Sequence, residues 1–145
     1  NARGMFFNIS LETGKTELIR AVVEGTCMHL RWFLETEDKK TKTSDVLRFV
    51  GGGALSDVTC QILADCTGRT VEVVASPQNV GAVGAAVISA VGLGMIGSIE
   101  EAKKLVPAKK TFIPNPSLKP IYDKNFAVFK NLYKSNKENF EALNG

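Results

Sequence analysis

Apolar and polar positions alternate with a helical period from Thr13 to Glu35. Leu18, Ile19, Val22, Val23, Thr26, Leu30 and Phe33 form one side; Lys15, Glu17, Arg20, Glu24 and Arg31 form the other. The wholly polar run Thr36–Asp45 then predicts an exposed loop. Val46–Val50 reads as a strand running straight into Gly51-Gly52-Gly53, and a helix follows from Ser56 to about Cys66. Gly68 stands where a left-handed closing residue is wanted. Thr70–Val74 is apolar and β-branched, as suits a strand covered on both faces. A small-residue helix is expected over Val80–Val91, where Gly81 and Gly84 imply close packing against the sheet or against a ligand.

Weaker patterns flank these. Met5–Ile9 is a short apolar run with strand character. Ser98-x-x-Glu101 has the form of a capping box opening a helix to Val106. Pro107, Pro114, Pro116 and Pro120 mark an irregular crossing, and a last helix carries Tyr122, Phe126, Phe129, Leu132, Tyr133 and Phe140 on its apolar side. Helix, strand, helix, strand, helix and a helical tail make an α/β pattern with parallel crossovers. The expectation is one domain over 1–145, with 107–145 as a helical C-terminal tail.

Composition narrows the function classes. With 44% hydrophobic and 23% charged residues, the chain reads as globular and not disordered. A net charge of +3 is too small to point to nucleic acid. The excess of lysine lies in 101–145, singly or in pairs such as Lys103–Lys104 and Lys109–Lys110, which reads as a solvated face. Cys27, Cys60 and Cys66 have no CxxC spacing and His29 is the sole histidine, so small buried hydrophobes in a cytoplasmic setting fit better than a metal site. The uncharged stretch Val80–Ile99 is broken by five glycines, which argues against a membrane span.

The strand–glycine–helix junction carries the chemistry. Glycines let the chain turn sharply and let backbone N–H groups approach a ligand, and the next helix aims its positive end at the same spot. The segment is neither GxxxxGK[ST] nor GxGxxG, so the P-loop and dinucleotide-binding readings both lack their defining residues. A tight turn with no ligand stays open as the plain alternative. Asp57, in the first helical turn, would repel a triphosphate placed right there. A bound nucleotide is therefore expected with its adenosine end at Ser56 and Asp57 and its phosphates nearer Gly51, Gly52 and Gly53.

The stretch Val50–Val71, VGGGALSDVTCQILADCTGRTV, resembles the second signature of the FGGY carbohydrate kinases, matching at Gly51–Ala54, Ser56, Gln61-Ile62, Ala64-Asp65, Gly68 and Val71. Ala2–Phe7 (ARGMFF), Arg20–Gly25 (RAVVEG), Gly81–Ala86 and Pro114-Asn115-Pro116 with Tyr122 resemble further stretches of that family in order, the xylulose-kinase type most of all. The resemblance implies a partial actin-like, ribonuclease-H-like ATPase domain, with helices packed on a small parallel sheet and its phosphate-embracing hairpin missing.

It also implies ATP with Mg2+ as cofactors and transfer of the γ-phosphoryl to a hydroxyl of a xylulose-like sugar. Gly51, Gly52, Gly53, Ala54, Ser56 and Asp57 would be the cofactor-binding residues. The catalytic base and most of the sugar site would lie on another domain, so the resemblance gives this chain no catalytic residue, no metal ligand and no activity alone. Asp65 is expected to cap or salt-bridge. A narrow sheet with an open edge suggests a homodimer. A non-enzymatic nucleotide-binding or interaction module is the alternative on the same fold.

Overall fold

Ser56 and Gly68 fix the central helix. The computed structural model describes the backbone of residues 1–145 and all side chains except those at positions 102 and 103. In it the Ser56 hydroxyl accepts the Thr59 N–H at 3.2 Å, and Gly68 closes the helix at φ 69° with its N–H on the Ala64 carbonyl. Between them α2 (Asp57–Thr67) buries Cys60, Ile62, Leu63, Ala64 and Cys66. Helix α1 (Lys15–Asp38) and the last helix, α5 (Lys119–Asn144), pack against it.

The sheet has three strands in the order β1-β2-β3. β1 (Val46–Arg48) runs parallel to β2 (Thr70–Val74), with Leu47 opposite Val71. β3 (Ala108–Phe112) runs antiparallel to β2, with Phe112 opposite Val71 and Lys110 opposite Val73. The expected parallel sheet is therefore mixed, and the segment expected as an irregular crossing holds its third strand. β3 was hidden because four of its five residues face out or carry charge, so its order comes from the ladder to β2 and not from local pattern.

Three other expectations need correction. Met5–Ile9 forms no strand, and Met5, Phe6, Phe7 and Ile9 are exposed. Helix α1 turns a different face to the core than its apolar stripe predicts: Cys27 and Met28 are buried, whereas Ile19, Val22 and Phe33 are exposed. The inward face sets Val23, Cys27, Met28 and Trp32 beside long polar side chains. Arg31 donates to the Cys66 carbonyl at 3.0 Å and to Asp123 at 2.7 Å, and its guanidinium lies 4.4 Å from the Phe126 ring centre. Finally, in α3 (Val80–Gly92) a Cβ added at Gly81 or Gly84 would meet nothing within 4 Å, so no close approach within this chain accounts for those glycines.

After α3 a short turn, in which the Glu101 N–H meets the Ser98 carbonyl, leads into α4 (Ala102–Leu105). The side chain of Lys103, one of the tail lysines, lies outside the described residues. Lys119 and Lys130 of the tail are paired, with Asp123 and Glu35 respectively, which qualifies the solvated-face reading. Among the described residues no helix is long and apolar enough to cross a membrane.

Candidate functional site

β1 delivers the chain to the turn. The Phe49 N–H still reaches the Glu72 carbonyl, extending the ladder one residue past the strand, and then Gly51 reverses direction at φ 90°, ψ −172°. Only glycine takes that conformation without strain, which explains the residue type. The Gly51 N–H donates to the Pro77 carbonyl at 2.9 Å, tying the turn to the segment just beyond β2. The turn thus sits at the carboxyl ends of the two parallel strands, where open α/β sheets bind their ligands.

Residues 52–55 make one tight helical turn. The Ala54 N–H returns to the Gly51 carbonyl and the Ser56 N–H to the Gly53 carbonyl. Among the described residues the N–H groups of Gly52 and Gly53 meet no protein acceptor, and both glycines are exposed. A Cβ at Gly52 would meet nothing within 4 Å, so the space beside that residue is open; at Gly53 it would come within 3.0 Å of the Phe49 ring. Two unengaged amides beside an open space, next to the N-terminus of an eleven-residue helix, suit an anionic oxygen group.

The remaining predicted residues divide by task. Ala54 is buried and its carbonyl accepts from the Cys60 thiol at 3.7 Å, so it anchors the turn to α2. Burial, and then the charge of Asp57, raises the Cys60 thiol above its ordinary pKa. Ser56 spends its hydroxyl oxygen on the helix cap. Asp57 is exposed, and both its oxygens meet the Lys110 ammonium, at 2.7 and 2.9 Å. Sequence reasoning missed Lys110, because no local pattern marks the strand that carries it.

Asp65 is a structural tie. It is 6% exposed and accepts the Asn115 backbone N–H at 2.7 Å and the Gln61 amide at 2.9 Å. Gln61 also donates to the Ile113 carbonyl, so the pair clamps the chain leaving β3 onto α2. A cavity of about 200 Å³ lies at the end of β2, lined by Val74, Ser76, Asn79, Val83, Leu105 and Pro107, and none of the six predicted residues lines it. Among the described residues its lining has no charged group, and its volume falls below the usual range for ligand pockets, so the open turn is the better candidate. Among the described residues no group of three or more His, Cys, Asp or Glu side chains gathers that could hold a metal ion.

Residues 1–93 match the C-terminal domain of the FGGY family of carbohydrate kinases. The chain belongs to that family. It is 33% identical over 139 residues to the xylulose kinase of Lactococcus lactis, covering 94% of this chain and 28% of that protein. The crystal structure of xylulose kinase from Rhodospirillum rubrum superposes with a TM-score of 0.85 at 28% identity, over 97% of this chain and 28% of that one. The ligand-bound xylulose kinase from Lactobacillus acidophilus gives 0.87 at 25% identity, over 98% and 29%. The chain thus spans a little over a quarter of these FGGY kinases and shares their actin-like ATPase fold.

Proposed function

We propose that this chain supplies the ATP-binding turn of a carbohydrate kinase that moves the γ-phosphoryl of ATP to a hydroxyl of a xylulose-like sugar. The free amides of Gly52 and Gly53 hold phosphate oxygens, Gly51 sets the turn, and Ala54 fixes it to α2. Ser56 and Asp57 lie toward the adenosine end. What supports this is the exposed glycine turn at the carboxyl ends of β1 and β2, in a chain of the FGGY family.

ATP binding at this turn asks for hydrogen-bond donors and open space, and both are present. Magnesium asks for oxygen ligands, and the described residues gather no such cluster; no step is assigned to it on this chain. The general base and the sugar site belong to a partner domain on this reading, so the chain alone binds ATP without transferring phosphate.

The test is a calorimetric titration of ATP into this chain and into Gly52→Val. The added side chain meets no protein atom near its Cβ and crowds the open space beside the turn. Affinity should fall about tenfold or more, because each charge-assisted hydrogen bond lost is worth ~1.5 kcal/mol or above. Unchanged affinity in a folded Gly52→Val would contradict the reading.

A further inference from the structure

Lys110 reaches the start of α2 from a strand that local pattern did not reveal. It lies opposite Val73, which is buried in the cluster that packs on α2, so Lys110 projects toward α2 as well. There its Nζ engages both oxygens of Asp57, the first residue of α2. Without that partner, the helix start nearest the glycine turn would present a bare carboxylate. A polyphosphate at Gly52 and Gly53 would then meet like charge a few residues away.

We propose that Lys110 is a nucleotide-positioning residue: by neutralising Asp57 it lets the glycine turn accept a nucleoside triphosphate. This rests on the reading that ATP binds at Gly51–Gly53. Both side chains are about half exposed, 51% for Lys110 and 59% for Asp57, so the pair contributes little to folding. Its consequence is the local potential. Arg48 and Glu72 form an ion pair of their own, and among the described residues no other cation pairs with Asp57.

Removing either charge of the pair should shift ATP affinity in opposite directions. ATP is titrated at low salt into this chain and into Lys110→Ala, Asp57→Asn and the double variant. Lys110→Ala should weaken binding about fivefold, Asp57→Asn should tighten it about threefold, and the double variant should stay within about twofold of the parent; these are the sizes expected for one charge roughly 10 Å from a polyanion. The differences should collapse in 0.5 M salt, roughly three-quarters of the way to zero, as the screening length shortens.

A purely structural latch predicts that all three variants weaken binding and lower the melting temperature together, and that pattern overturns the proposal. If the parent binds ATP and Gly52→Val abolishes it while the Lys110 and Asp57 variants leave affinity unchanged, the Lys110 inference alone fails. If the parent chain binds no ATP, the site assignment fails first and the inference with it.

Discussion

Replacing Asp65 with alanine removes the carboxylate that holds β3's exit onto α2. Two donors lose their acceptor, the Asn115 backbone N–H at 2.7 Å and the Gln61 amide at 2.9 Å, while Gln61 keeps its second bond to the Ile113 carbonyl. Hydrogen bonds to a charged acceptor contribute ~1.5–3 kcal/mol each, and the partial exposure of this corner favours the low end, giving about 3 kcal/mol for the pair. Total stability of a domain this size is roughly 5–15 kcal/mol, so the loss is a large share of it. At about 2–4 °C per kcal/mol, the melting temperature should drop by roughly 6–12 °C. Asp65→Asn keeps one acceptor oxygen and should lose about half as much.

Urea denaturation followed by circular dichroism measures the change, with an unaltered slope showing that the same surface unfolds. ATP affinity, measured on the same samples below the transition, should stay within twofold of the parent, roughly the spread expected for a distant site. A loss below about 1 kcal/mol would refute the hydrogen-bond account. A large fall in ATP affinity with intact stability would instead make Asp65 a ligand-binding group.

Arg31 bridges three helices through Glu35, Cys66, Asp123 and Phe126, so Arg31→Ala should cost about 2–3 kcal/mol in urea unfolding, and Arg31→Lys should recover less than half, since an ammonium cannot make the planar contacts. Equal stability of Arg31→Lys and the parent would contradict that. Burial pushes the thiol of Cys27 up to about 11, that of Cys66 to about 12 and the hydroxyl of Tyr122 to about 12. In the unfolded chain these groups ionise at their ordinary lower values, so above about pH 9 the unfolded state sheds protons first. Stability should therefore be flat at neutral pH and fall as pH rises from about 9 toward 12. The same burial should keep all three thiols unlabelled by a disulfide reagent at pH 8; rapid labelling of the native protein, or stability that rises with alkaline pH, would count against it.

The elements legible in the sequence are those specified by local chemistry. β2 was read to the residue, and α2 was bracketed by its Ser56 cap and by Gly68, because capping and left-handed closure are decided within a few residues. The glycine turn was legible for the same reason: Gly51 needs a conformation only glycine takes freely. What escaped was decided at a distance. β3 exists because β2 offers it an edge, and the Lys110–Asp57 contact joins residues 53 apart in the chain. On α1 the periodicity reported an apolar side, but Arg20, Glu24, Arg31 and Glu35 find partners on α5 and α2, and those partners decide which face turns inward.

The glycine turn as a phosphate cradle is the claim on which the functional account stands. A nitrogen-15 correlation spectrum of this chain, recorded through an ATP titration, locates the ligand residue by residue. The account predicts saturable shifts of the amides from Gly51 to Asp57, led by Gly52 and Gly53, with α5 unmoved. Shifts confined to other elements, or none at millimolar ATP, would contradict it.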